Sequence, residues 1–395
     1  MYEIDFMAHV GQHNLTSTHP HYQAIYNHLP ENVKFNFIEE PKERNPNYND
    51  YLDSISNKSK SLGATDADID FFTSRIHPNC SKQQKSCLYF VPTHPYFGPE
   101  PHVINFEYWL TYYTYLCSEL VTSNTDVDTD KLGWNHMAIS AMLEPSCKAL
   151  LIHSHDTINT FKYMTRDYPE LHEKFIYFPL ASPDAEKLIK PKHIEDTINI
   201  LFTNSYGGQL PGFNARGGHE AMAAILPLLD KYSNLRLTTI GPSPRFNHDS
   251  ITQYFEHVDN DTYNDIIQKC HIFLIPSMQL HSISLVKCMC NGIIPIVSDG
   301  WGFDEFVTNG HNGFVVEGQN GYTNKKDKNN ILQLIANAGA SPNMIINITN
   351  VLENLINNID QIPIISNNCI QYAKKNFSIN KRNDILLEMI KKSYV

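Results

Sequence analysis

A strand end, a tight loop, a short helix, a glycine turn and a second buried strand follow one another between positions 270 and 299. No other stretch narrows the fold as far. Residues 270–275 and 293–297 are apolar runs suited to strands covered on both faces. Between them, Pro276 and Ser277 lead through Gln279 and His281 into a helix opening around Ser282, Ile283 and Ser284. Serines at a helix start cap free N–H groups, and with the helix dipole they favour an anion. The layout is that of a phosphate-holding corner in an open α/β sheet.

The surrounding pattern extends that corner into a domain. Strands at 197–202, 235–240 and from 272 alternate with helices at 217–229 and 261–269, which predicts a parallel sheet with right-handed crossovers. A helix start at 305, a turn at Asn309 and Gly310 and a strand at 314–316 follow. The first half offers strands at 2–7, 33–38, 87–91, 102–106, 149–153 and 175–178, and a helix before position 31 with Tyr22, Ile25, Tyr26 and Leu29 on one face. Residues 41–86 read as a surface excursion, and the asparagine-rich tract 347–358 as biased composition without a function. The tail 367–394 reads as two helices.

A chain of 395 residues suits two domains and a cleft between them. Pro183 and Pro191 interrupt the apolar pattern and put the junction between 182 and 195. The division expected is 1–185, 195–370 and a helical tail 371–395.

The formal charge of −11 comes from 42 acidic and 31 basic residues without a basic block, which argues against a nucleic-acid partner. The first residues lack the pattern of a signal peptide and no run of eighteen apolar residues occurs. The expectation is a cytoplasmic protein, with room for transient membrane contact. Eight dispersed cysteines make no disulfide scaffold. Cys288 and Cys290, two apart on a helix, point in different directions, and the acidic stretch 122–130 lacks the glycine and final glutamate of a calcium loop. No metal site is expected.

Several residues carry candidate chemistry. Arg216 and Lys287 supply positive charge for a diphosphate, the first as a planar fork and the second as a point charge, or else serve ion pairs and a solvated helix face. Gly217, Gly218 and Gly241 allow backbone to approach an anion, or simply make turns; Gly11, after the first strand, has the same two readings across the cleft. Glu305 accepts from sugar or ribose hydroxyls, or sits at a helix start. His281 and Gln279 are hydrogen-bonding groups in the anion loop. Glu107 orients an acceptor hydroxyl or stabilises positive charge, with helix capping as its alternative. His153, Ser154 and Asp156 hold the residue types of a hydrolase triad, and His153 with His155 those of a zinc pair; both remain minor readings.

From Cys270 to Gly292, then through Pro295, Ser298, Asp299, Gly302, Glu305 and Asn312–Val316, the chain resembles the donor-binding half of retaining GT-B glycosyltransferases of the group 1, family 4-like type. The resemblance implies two Rossmann-like domains facing across a cleft, the tail helices packing back on the first. It also implies a nucleotide-diphosphate sugar as donor substrate, no permanently bound cofactor or metal, and a saccharide or other hydroxyl acceptor. The catalytic candidates are then Arg216, Lys287 and Glu107. Donor-binding candidates are Gly11, Gly217, Gly241, Gln279, His281, Ser282, Ile283, Ser284 and Glu305. The family usually has two glutamates eight positions apart where this chain has Gln279 and Lys287. A catalytically inactive nucleotide-sugar or glycan-binding protein of the same fold is the alternative, and an epimerase a third.

Overall fold

The computed structural model describes residues 1–7, 20–38, 48–67, 69, 88–92, 96, 98–106, 134–204, 213, 216–256, 258–277, 282–299, 302–317, 322–326, 332–336 and 341–393. In the first half the strands are β1 (Tyr2–Met7), β2 (Val33–Ile38), β3 (Tyr89–Pro92), β4 (His102–Phe106), β5 (Cys147–Ile152) and β6 (Phe175–Tyr177). The helices are α1 (Pro20–Asn27), α2 (Tyr48–Ser61), α3 (Trp134–Leu143) and α4 (His155–Met164). The sheet runs β2-β1-β3-β4-β5-β6, and every pairing is parallel.

The second half repeats the scheme with β7 (Ile198–Thr203), β8 (Leu235–Ile240), β9 (Ile251–Tyr254), β10 (Ile272–Ile275), β11 (Ile294–Ser298) and β12 (Phe314–Val316). Its helices are α5 (Gly218–Lys231), α6 (Asn260–Lys269), α7 (Ser282–Cys290), α8 (Pro342–Asn357), α9 (Gln361–Asn376) and α10 (Ile379–Ser393). The order β12-β11-β10-β7-β8-β9 is again parallel throughout. β13 (Tyr322–Lys326) and β14 (Leu332–Ala336) pair separately as an antiparallel ribbon. The strand order reverses between β7 and β10, and in such sheets ligands bind beyond the carboxyl ends at that reversal.

All four residues of β10 and all five of β11 are buried, as unbroken apolar runs require when helices cover both faces. The first sheet has two separate cores. Ile55 of α2, Met137 of α3 and Phe161 of α4 fill one face. The other holds Tyr22 and Ile25 of α1 together with Leu386, Met389 and Ile390 of α10. The last helix of the chain thus completes the core of the first sheet, and Arg382 anchors it by donating to the His28 carbonyl at 2.7 Å.

Two stretches without an evident period are helical. In the asparagine-rich tract, Met344, Ile348, Leu352 and Leu355 lie on the buried stripe of α8, and the asparagines belong to its remaining faces. Ser341 caps this helix at the Met344 N–H and Pro342 opens it. Within 41–86, α2 buries Ile55 and Ser59, and Ser59 donates to the Ile55 carbonyl at 2.7 Å. Polar residues dilute the apolar stripe in both, which hid the period. Conversely, the helix expected from 305 is a single turn, Phe303–Val307. It is closed by Asn312, which accepts from the Thr308 N–H at 2.7 Å and donates to the Phe306 carbonyl at 3.0 Å.

At the amino end of β4, His102 is fully buried; Nδ1 pairs with the Glu100 carbonyl at 2.9 Å, and Nε2 has no hydrogen-bond partner among the described residues. Burial pulls its pKa down from 6.5 to about 4. The folded state therefore binds fewer protons than the unfolded state between those values, and stability falls as the pH is lowered through that window. The expected loss is about 3 kcal/mol between pH 7 and pH 4 from this residue. Urea unfolding at a series of pH values should show a shallower slope between pH 6.5 and 5 in His102→Gln than in the natural sequence.

Candidate active site at the carboxyl edge of the second sheet

The reversal between β7 and β10 brings together residues from distant positions. β7 ends at Thr203 and Asn204, and β10 at Pro276 and Ser277. Gly217 crosses over the second of these ends in the left-handed region, with φ +69°, and a Cβ there would lie 2.1 Å from the Pro276 carbonyl oxygen. That close approach requires glycine. Gly241 makes the matching contact at the end of β8, where an added Cβ would meet the Asn204 carbonyl oxygen at 2.3 Å. Gly218 faces the Phe213 ring. Gly217 and Gly241 thus pack loop against loop at the carboxyl edge.

Gly217→Ala is expected to cost at least about 2 kcal/mol, combining left-handed strain with displacement of the Pro276 backbone. A urea midpoint unchanged from that of the natural sequence would contradict this packing.

The packed loops place Arg216 and Ser277 in contact. Arg216 Nη1 donates to the Ser277 hydroxyl at 3.3 Å, and Ser277 is held from behind because its carbonyl accepts from Ser298 Oγ. Directly after Arg216, α5 opens at Gly217 with no side-chain cap, so a guanidinium and an uncapped positive helix end lie side by side. Close by, Thr203 Oγ1, Asn204 Oδ1 and Thr239 Oγ1 are buried polar atoms without hydrogen-bond partners among the described residues. Asn204 is oriented by donation from Nδ2 to the Pro242 carbonyl at 2.7 Å.

Lys287 is not part of this contact. Its ammonium lies 4.5 Å from the ring centre of Tyr263 on α6. Burial lowers its pKa, partly opposed by Asp184. Ile283 and Ser284 lie in the first turn of α7 and are half-buried. Gln279, His281, Gly11, Glu107 and the side chain of Ser282 lie outside the described residues.

Glu305 reaches the other half of the chain. Its Oε2 accepts from the His155 N–H at 2.9 Å and its Oε1 from the Asp156 N–H, so the carboxylate lies on the first turn of α4. Burial raises its pKa and the two N–H donors oppose the rise. On the same turn, Ser154 caps α4 by accepting from the Thr157 N–H at 3.1 Å, and it donates to Thr157 Oγ1 at 2.8 Å.

His153 Nε2 pairs with Asn105 Oδ1 at 3.0 Å, whereas the exposed His155 stacks on Tyr177 at 4.1 Å. The hydroxyl and imidazole of a relay thus serve other partners, and the two histidines diverge. Neither the hydrolase triad nor the zinc pair is assembled. Among the described residues no group of three or more histidine, cysteine or acidic side chains converges on a metal position.

Both sheets match solved structures along their whole length. Sucrose-phosphate synthase from Thermosynechococcus elongatus superposes with a TM-score of 0.58 at 10% identity, covering 100% of this chain and 99% of that one. WaaG, a glycosyltransferase involved in lipopolysaccharide biosynthesis, gives 0.56 at 13% identity over 97% and 99% of the two chains. Residues 205–337, which surround the Arg216–Ser277 contact, match the family described as glycosyl transferases group 1. The chain has the GT-B fold, and the segment 205–337 of its second half is similar to glycosyl transferases group 1.

The chain also matches one from the GtfA/B complex with a TM-score of 0.53 at 12% identity, where 74% of it spans only 53% of that longer chain. No curated protein sequence matches it. Three polar positions that its geometry brings forward were not singled out from sequence. Ser277 stands at the mouth of the strand that opens the most informative segment, and its place after Pro276 was the available signal. Asn105 interrupts the apolar run of β4 and collects both His153 and His21, the latter at 3.3 Å. Asn204 gives no signal beyond ending a strand.

Proposed function

We propose that this protein is a glycosyltransferase that moves a sugar from a nucleotide-diphosphate sugar to a saccharide or other hydroxyl acceptor with retention at the anomeric carbon. The observation that carries the reading is the Arg216–Ser277 contact beside the uncapped start of α5, at the reversal of the second sheet. In transfer the bond from C1 to the phosphate oxygen breaks and a bond from C1 to the acceptor oxygen forms. Positive charge develops at the sugar and negative charge on the leaving diphosphate. Arg216 and the first N–H groups of α5 and α7 stabilise the diphosphate. The acceptor proton passes to a leaving phosphate oxygen, so no side-chain base is required.

In this reading the second unit, 195–370, holds the donor through Gly217, Gly241, Gln279, His281, Ser282, Ile283 and Ser284. The first, 1–185, holds the acceptor, with Gly11 and Glu107 at its edge, and 371–395 ties the two together. Lys287 acts from the flank of α7. The reading includes work in the cytoplasm with transient membrane contact, and no permanently bound cofactor.

The test is product stereochemistry with equilibrium binding. Nuclear magnetic resonance of the glycoside formed should show the donor's anomeric configuration kept, and nucleoside diphosphates should bind more tightly than monophosphates in an Arg216-dependent manner. An inverted anomer would remove the retaining mechanism, and equal affinity for mono- and diphosphates would remove the diphosphate site.

A further inference from the structure

Glu305 comes from the loop after β11 in the second half, yet its carboxylate spans two backbone N–H groups of a helix in the first half. Those groups begin α4, which starts just beyond the carboxyl end of β5. First-turn N–H groups have no partner within their own helix, and a carboxylate there also meets the positive end of the dipole.

Neighbours lie on both sides of this bridge. The Tyr372 hydroxyl on α9 donates to the Glu305 carbonyl at 2.7 Å. The His155 ring stacks on Tyr177 at 4.1 Å with 15° between planes. Ser154 and Thr157 lock the turn that presents the donors. A contact made by two N–H groups to two oxygens of one carboxylate specifies direction as well as distance, which a packed apolar contact does not.

We propose that Glu305 is a positioning residue that sets the mutual orientation of the two Rossmann-like units, by capping α4 across the cleft, and that it does not hold the donor. The inference rests on the reading of the cleft as a site of glycosyl transfer. Donor and acceptor are carried by different halves in that reading, so a small rotation between halves separates the reacting atoms, and misplacement of about 1 Å costs roughly a hundredfold in rate. Glu305 therefore acts on the chemical step through geometry.

Two substitutions attack the bridge from opposite sides. Glu305→Gln keeps size and replaces one acceptor oxygen with an N–H₂ donor. His155→Pro deletes one N–H at the first position of α4, where proline is tolerated, and His155→Ala controls for the lost ring. With a saturating acceptor, Glu305→Gln and His155→Pro are each expected to lower kcat about tenfold and leave the donor KM within about twofold. The double variant should lose about tenfold, not a hundredfold, because both remove the same contact. His155→Ala should keep most of the rate.

A donor KM raised about tenfold by Glu305→Gln, with losses that multiply in the double variant, would overturn the proposal and return Glu305 to the donor. Small-angle scattering of the ligand-free proteins gives a readout independent of turnover. A larger radius of gyration in both variants supports the bridge, and an unchanged radius in both overturns it, even if the natural sequence proves to transfer no sugar.

Discussion

Arg216→Ala is expected to lower nucleotide-sugar turnover by about a hundredfold, in line with the loss of one preorganised donor to a developing anion. The guanidinium is fixed at its base by the Gly217 crossing over Pro276 and at its tip by the Ser277 hydroxyl at 3.3 Å. On the proposed reading it therefore needs little reorganisation when a diphosphate leaves. An isolated surface arginine would contribute far less, because water screens it. Arg216→Lys should recover only part of the loss, since a point charge replaces a fork. Steady-state nucleotide release decides the matter, with unchanged urea midpoints showing that the variants are folded. A loss below about threefold in Arg216→Ala would remove Arg216 from the reacting centre.

The largest stability effect is expected at Arg382. This side chain is 1% exposed and lies where α10 crosses the end of α1. It donates to the His28 carbonyl at 2.7 Å, approaches the Ala24 carbonyl at 3.5 Å, and grips Asn383 Oδ1 through Nε and Nη2 at 3.1 and 2.8 Å. A cation at a helix carboxyl end meets the negative end of the dipole and the carbonyls that have no partner inside the helix. Burial nevertheless pulls its pKa down to about 10.

Arg382→Ala leaves a void and underused carbonyls, at an expected cost of about 4 kcal/mol. Arg382→Met refills the volume and removes the buried charge, so it should cost about half as much. Urea unfolding followed by far-ultraviolet dichroism measures both. A loss under about 1 kcal/mol in Arg382→Ala would mean that α10 is held by its apolar face alone.

Much of the second half was legible in the sequence because its strands are unbroken apolar runs and its turns carry glycine. The run 270–275 and the turn before 293 can be little else in a parallel sheet. Helices with dense apolar stripes, such as α1 through Tyr22 and Ile25, were equally legible. Where polar residues dilute the stripe, as in α2 and α8, periodicity alone failed. The site was harder to read for a different reason. A glycine's contact, a carboxylate's partner and an arginine's direction depend on segments far away in sequence.

Gly217 is explained by Pro276, and Glu305 by a helix start 149 and 150 positions away. Arg382 was passed over in the tail helices, because nothing in the local sequence distinguishes a buried arginine from a solvated one. Lys287 stands where the resembling family usually has a glutamate, and the ring of Tyr263 that receives its ammonium is not visible from that position.

The most direct measurement is release of nucleotide from a panel of UDP-, GDP- and dTDP-sugars by the purified chain, with and without saccharide acceptors and with Arg216→Ala alongside. Release from one donor that rises with an acceptor and collapses in the variant is the result expected of a glycosyltransferase with its donor at the carboxyl edge of the second sheet. Tight binding of a nucleotide sugar without release, across donors and acceptors, would contradict it and leave a binding protein built on the same fold.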